Sequence, residues 1–163
     1  MTQLKKKRNG VKLDKAEMAD VKQIQELING YAKRGIMIQK SLSEIYEHIR
    51  DFYVLRNKNN NIIGCGALHI NWFDLAEIRS VAIKKNYQGL GHGQKVVRAL
   101  LKEAKKLGII TVYALTTSPH FFQNVGFEET NKKELPSKIW GECIKCSKFP
   151  DQCNEIAMVW HIK

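Results

Sequence analysis

Apolar positions along this chain change their period several times, and each change marks an element. Val11 and Leu13 alternate with polar neighbours, as a short first strand would. Val21, Ile24, Leu27, Ile28 and Tyr31 then recur at helical spacing, until AKRGIMIQKS breaks the pattern at Gly35 and predicts a loop. A second helix is expected over 43–49, with Leu42, Ile45, Tyr46 and Ile49 inward. Phe52-Tyr53-Val54-Leu55 reads as a strand, the Asn-rich 57–61 as a turn, and 62–70 as the next strand. Asn71-Trp72-Phe73-Asp74 turns into a long strand, 75–83. After a glycine turn, Val96, Val97, Leu100, Leu101, Ala104 and Leu107 line one helix face, and Gly108 stands where a C-terminal cap belongs. The run 109–115 is continuously apolar, like a strand buried on both faces. Pro119 suits the first turn of a short helix, 119–124, and Gly126-Phe127 leads into a strand. Residues 131–154 are polar and irregular, and 155–162 closes the sheet with Ile156, Met158 and Trp160 alternating. The order β-α-α-β-β-β-α-β-α-β-β predicts an α/β sandwich with a mixed sheet. A basic tail, 1–9, precedes one domain, 10–163, from which 131–154 departs as a cysteine-containing excursion.

The stretch 77–107 organises the rest. Its turn, Gln88-Gly89-Leu90-Gly91-His92-Gly93, carries three glycines in five positions, so the backbone can bend sharply and bring its N–H groups close to an incoming group. Those amides converge on a helix N-terminus, where unpaired donors and the helix dipole favour an anion such as a pyrophosphate. Two other nucleotide motifs do not fit. The spacing is GxGxG rather than GxGxxG, and Gly93 is followed by Gln94-Lys95-Val96 rather than by Lys and a hydroxyl residue. A turn that merely caps a helix is the plain alternative.

Charge and cysteines add less. The net charge is +11, but much of the excess lies in the first fifteen residues or on a helix face (Lys102, Lys105, Lys106), and no nucleic-acid recognition motif accompanies it. A bias toward anionic small molecules is the milder reading, and nucleic acid is not an expected partner. No apolar run approaches the roughly 20 residues that span a bilayer. The N-terminus lacks the apolar segment of a signal peptide, so no membrane partner and a cytoplasmic location are expected. Cys65 sits in an apolar strand and reads as packed. Cys143, Cys146 and Cys153 form C-x2-C-x6-C, which can supply three corners of a zinc site with no clear fourth beyond His161. Three cysteines with no clear fourth partner make a poor cage, and free thiols or a redox-sensitive disulfide are the alternative readings. A homodimer is compatible with the pattern, which carries no signature for or against one.

Gln88-x-x-Gly91-x-Gly93 after a strand ending in V-A-I resembles the acyl-CoA loop of the GNAT acetyltransferase superfamily. The aromatic helix closing on a Gly-Phe pair, Phe121-Phe122-Gln123-Asn124-Val125-Gly126-Phe127, resembles a second landmark of that family. The segments 49–57, 62–70, 76–83, 114–127 and 135–146 look like the short, single-domain amino-acid N-acetyltransferases of arginine biosynthesis, which resemble N-acetylglutamate synthase without its kinase-like domain. The resemblance implies a mixed, mostly antiparallel sheet with helices on both faces. It also implies that the chain acetylates the α-amine of an amino acid, glutamate above all, using acetyl-CoA.

The same resemblance distributes roles. Main-chain donors of Gln88, Gly89, Gly91 and Gly93, with Gln94, would hold the pyrophosphate. Val81 and Ile83 would pair with the pantetheine arm, and Asn124 would touch it. A main-chain N–H at the end of the central strand could polarise the thioester carbonyl. Glu77 is the best-placed base, directly or through water. Strand alternation puts Arg79 on the same face, where it either bridges to Glu77 or binds a substrate carboxylate with its planar fork. Arg34, Lys40 and Thr116, with Thr117, are further substrate contacts. Where many members carry a proton-donating tyrosine, this chain has Phe122. Tyr113, Ser118 and water are the remaining donors. A different acceptor, another amino acid or a protein amine, and a non-catalytic CoA-binding module are the competing readings; a basic surface disfavours polyamines.

Overall fold

The computed structural model describes residues 10–136 and 153–163. The basic tail 1–9, most of the excursion, and with it Cys143 and Cys146, lie outside the described residues. The strands are β1 (Lys12–Lys15), β2 (Phe52–Arg56), β3 (Ile62–Trp72), β4 (Leu75–Ile83), β5 (Thr111–Thr116), β6 (Glu128–Thr130) and β7 (Ile156–His161). The α-helices are α1 (Val21–Ala32), α2 (Leu42–Glu47), α3 (His92–Lys106) and α4 (Pro119–Gln123). Their succession is the one the periodicity predicts.

The strands form one sheet in the order β1-β2-β3-β4-β5-β7-β6. Every neighbouring pair is antiparallel except β4 and β5. Helices cover both faces. On one, Val96, Val97, Leu100, Leu101 and Ala104 of α3 and Phe122 of α4 pack on Leu68, Ala76, Ile78, Ile83, Val112, Ala114 and Met158. On the other, Val21, Ile24, Leu27 and Ile28 of α1 and Ile45 of α2 pack on Val54, Cys65, Ala67 and Ala82. Such fully buried aliphatic side chains each contribute about 1.5–3 kcal/mol relative to exposure.

One local detail departs from the sequence reading. Leu42 and Tyr46 of α2 are 36% and 41% exposed rather than inward. A six-residue helix is too short to bury a wide face, so only Ile45, with Ile49 beyond it, reaches the core. Its start is set by a capping box, Glu44 N donating to Ser41 Oγ at 3.1 Å and Ser41 N to Glu44 Oε2 at 2.7 Å. The last strand completes the sheet from within, β7 inserting between β5 and β6.

Two features of β4 shape the site. Its pairing with β3 passes from Ala67↔Arg79 to Cys65↔Ala82, so Ser80 and Val81 together face Gly66. This is a bulge, with Ser80 at φ 57 and its carbonyl accepting from Cys65 Sγ at 3.4 Å. The extra residue switches parity. Ile78 packs under α3, yet Ala82, an even number of residues on, packs under α1. On the other side, β4 pairs with β5 only through Leu75↔Thr111, Ala76↔Val112 and Glu77↔Tyr113. Beyond Glu77 the two strands part.

Away from this seam, Arg56 of β2 grips Asp20 with two hydrogen bonds of 2.6 Å, joining the sheet to the start of α1. Burial works against the Asp20 charge. Hydrogen bonds from Arg56 and from the Glu17 amide, together with the Arg56 charge, outweigh it and hold the carboxyl below its ordinary pKa.

Candidate active site

The parting of β4 and β5 opens a cavity of about 710 Å³. One wall is β4 from Glu77 to Ile83, and another is Leu115-Thr116-Thr117-Ser118 at the end of β5. The glycine turn and the start of α3 form one end, while Ile36, Met37, Ile38 and Lys40 from the loop after α1 overhang the cavity.

At the glycine end, Gly89 and Gly91 take φ of 71° and 83°, conformations that side-chain-bearing residues rarely adopt. Gly91 is the N-cap of α3 and has no side chain, so no oxygen of its own competes for the first-turn amides of this fifteen-residue helix. Gly93 is needed for a different reason. A Cβ there would stand 2.9 Å from the Phe121 ring. The other end of α3 has the predicted glycine cap: Gly108 lies at φ 78, with Gly108 N donating to Lys105 O at 3.2 Å and Ile109 N to Ala104 O at 3.0 Å.

Gln88 lines the cavity but faces a different partner from the one expected. Its backbone N–H donates to Lys85 O at 3.3 Å, and its side-chain Nε2 donates to Ile83 O at 3.1 Å and to the Tyr31 hydroxyl. Tyr31 Oη itself donates to Ile83 O. The Ile83 carbonyl is therefore taken by two side chains, and Gln88 spends both donors on the protein. Tyr31 escaped sequence reasoning because it falls on the apolar stripe of α1. The signal was its hydroxyl, since a buried tyrosine ring commonly seeks a polar partner for that end.

At the opposite end, Glu77 accepts three hydrogen bonds on Oε2: from Arg79 Nε at 3.1 Å, Arg79 Nη2 at 2.6 Å and Tyr113 Oη at 3.3 Å. Oε1 is left out of all three. Glu77 and Arg79 share a face, as alternation predicts, because the bulge begins only after Arg79. Tyr113 is fully buried and its hydroxyl is engaged with Glu77, so it is not a donor on the cavity wall. Phe122 does line the wall, and its ring carries no proton to give. Ser118 lines it as well.

The predicted substrate contacts divide. Arg79, Lys40 and Thr116 line the cavity. Lys40 is positioned by its own backbone: its N–H donates to Asn29 Oδ1 at 3.0 Å, and its carbonyl accepts from Asn29 Nδ2 at 3.0 Å and Gln25 Nε2 at 3.2 Å. Those bonds pin the loop to α1. Arg34 instead stacks over the Tyr31 ring, 4.6 Å from its centroid, and lines a separate depression with Lys84 and Lys85. Asn124 is the exposed C-cap of α4 and is not among the residues that line the cavity.

Two further wall residues come from the chain leading into β7. Cys153 and Glu155 both line the cavity, and Cys153 Sγ accepts a hydrogen bond from Lys132 Nζ at 3.3 Å. The sequence offers Cys153 either as a third corner of a zinc site or as a free or redox-sensitive thiol. Among the described residues, the His, Cys, Asp and Glu side chains close enough to share an ion do not include it. Cys65 is buried, which pushes its thiol up to about 12, and it is packed as expected. No described helix is long and apolar enough to cross a membrane.

A glycine-built helix N-terminus thus stands at one end of a split in the sheet, and a carboxylate held by a guanidinium at the other. Over 144 residues the chain is 39% identical to an uncharacterized N-acetyltransferase of Chlorobaculum tepidum, covering 88% of this chain and 92% of that one. Over 133 residues it is 35% identical to an amino-acid acetyltransferase of Mycobacterium tuberculosis, covering 80% and 76%. Among solved structures, the Mycobacterium tuberculosis protein Rv2747, crystallised with CoA and NLQ, superimposes with a TM-score of 0.82 at 28% identity, covering 93% of this chain and 99% of that one. Residues 22–127, which contain the β4 bulge, the glycine turn and the Phe-rich helix, match the acetyltransferase (GNAT) family model, and the chain belongs to that family.

Proposed function

We propose that this enzyme transfers the acetyl group of acetyl-CoA to the α-amine of an amino acid, with L-glutamate as the preferred acceptor in arginine synthesis. The observation that carries the reading is the cavity itself, with a glycine turn and a helix N-terminus at one end and cations beside a carboxylate at the other. The relatives named amino-acid acetyltransferases support the acceptor class.

In this reading, amides of Gly89, Gly91, Gly93 and Gln94 receive the pyrophosphate at the N-terminus of α3. The pantetheine arm runs along β4, in the gap that β5 leaves. Because Tyr31 and Gln88 occupy the Ile83 carbonyl, Val81 is the better main-chain partner for the arm, and its N–H is the donor for the thioester oxygen as negative charge develops there. Glu77, whose Oε1 lies outside its ion pair, takes the proton of the attacking amine directly or through one water. The amine then forms the new C–N bond, and the C–S bond breaks to release the thiolate. Phe122 cannot protonate that thiolate, which leaves Ser118 or water to do so. Arg79 and Lys40 meet the acceptor's carboxylates, and Thr116 offers a hydroxyl.

The test is thiol release from acetyl-CoA across a panel of free amino acids. Turnover highest with glutamate supports the full proposal. Turnover only with a non-acidic amino acid keeps the reaction and removes glutamate. No turnover with any amino acid sinks the acceptor class.

A further inference from the structure

The described residues hold one group of ligating side chains outside the cavity. His48, at the C-terminal end of α2, Asp51, in the 3-10 turn that follows, and His69 of β3 each offer one ligand atom within 4.8 Å of the others. Asp51 Oδ2 sits between the two rings, 3.5 Å from His48 Nδ1 and 3.4 Å from His69 Nδ1. The rings meet edge to face, with centroids 5.4 Å apart and planes at 70°. We propose that these three residues form a binding site for a divalent transition-metal cation, zinc or a close analogue, completed by water.

The distances favour a metal over plain hydrogen bonding, for which the His69–Asp51 contact of 3.4 Å is a long one. If Asp51 simply bridged two imidazoliums, the contacts should approach the roughly 2.7–2.9 Å of a charge-assisted hydrogen bond. Both are longer by half an ångström or more. Metal bonds of roughly 2.0–2.1 Å in a tetrahedron put neighbouring ligand atoms about 3.3 Å apart. Two of the three edges of the present triangle already have about that length, and the third, between the histidines, is at most 4.8 Å. Two imidazoles and one carboxylate with an open position are a suitable donor set for zinc, and a poor one for calcium or magnesium, which prefer oxygen.

The scaffold is held by independent contacts. Asp51 N donates to His48 O at 2.9 Å, Lys15 Nζ donates to Arg50 O at 2.8 Å, and the neighbouring Ile49 and Phe52 are buried under α1. The ligands therefore come from two stretches of chain, 48–51 and β3, that the core already holds together, so little ordering is left for the ion to impose. His69 is also the register partner of Glu77, which places the ion one strand from the acceptor end of the cavity, on the same face.

The experiment is a cobalt(II) titration of the metal-stripped full chain, followed by its visible d–d bands and by displacement with zinc. One equivalent of cobalt is expected, without a thiolate-to-cobalt charge-transfer band. His48→Gln and His69→Gln should each weaken binding by at least about tenfold, the scale on which even outer-shell losses register, while acetyl-CoA affinity stays unchanged. Bands that survive in the double variant, bands that carry thiolate charge transfer, or no bands at all would each overturn the site. Should His69→Gln disturb β3, the half-exposed His48 carries the test alone.

Discussion

Replacing Glu77 with glutamine separates two roles that the same atoms could play. The substitution keeps the shape of the side chain and removes its charge. In the folded chain it weakens two guanidinium contacts, at 3.1 and 2.6 Å, and one from Tyr113 at 3.3 Å. Hydrogen bonds to charged groups contribute about 1.5–3 kcal/mol. Both side chains keep some water contact, 17% and 14% exposed, so about 2 kcal/mol is a fair figure for the lost pair. For a chain of this length each kcal/mol lowers Tm by about 2–4 °C, giving an expected drop of about 4–8 °C. That loss leaves the enzyme folded at 25 °C. A bridge alone would then leave turnover almost untouched, whereas a lost general base lowers kcat by about 10²–10⁴, or about 3–5 kcal/mol of barrier. Calorimetry and initial rates at saturating acetyl-CoA measure the two effects on one preparation. A Tm drop of the expected size with kcat within about threefold of the parent would refute the base and leave Glu77 as a tether for Arg79.

Other outcomes follow from the same contacts. Gly93→Val drives a side chain into the Phe121 ring, 2.9 Å from the first added carbon; overpacking of about 1–3 kcal/mol and weakened acetyl-CoA binding are expected by calorimetry, and unchanged affinity would count against the pyrophosphate site. Asp20→Asn weakens the two short bonds to Arg56 and leaves it Asp14, 3.4 Å away, as its charged partner, so a cost of about 1.5–3 kcal/mol is expected in urea unfolding. Because the Asp20 pKa is lowered in the folded state, its contribution is full above the ordinary value of 3.8 and disappears as pH falls through the folded value. Acid unfolding of the parent, but less of the variant, should therefore steepen below that point. Cys65, its thiol pushed up to about 12, should resist alkylation in the native chain while Cys153 is modified, as read by peptide mass mapping.

The fold was legible because its elements announce themselves locally. Helix α3 has a clean apolar stripe between two glycine signals, and β4 a branched run between turns. What stayed hidden is what depends on neighbours. Leu42 and Tyr46 have helical spacing but no partner surface, since α2 ends after six residues. Gln88 was read as a main-chain phosphate donor from its place in a motif; its N–H instead faces Lys85 O, and the side-chain contact with Tyr31 spans fifty-seven positions that no local pattern links. Arg34 and Lys40 look alike in sequence. A stacked ring claims one, and two α1 amides aim the other into the cavity.

The left-handed serine in the fourth strand has a consequence for deletion. An ordinary strand that loses one residue turns the remainder inside out. Here the supernumerary position is the one removed, so Ile78 and Ile83 would stay beneath the long helix and Ala82 beneath the first. Core and crookedness are thus written in different letters: a chain shortened by Ser80 should fold, run straight beside its neighbour, and have nowhere to put a coenzyme.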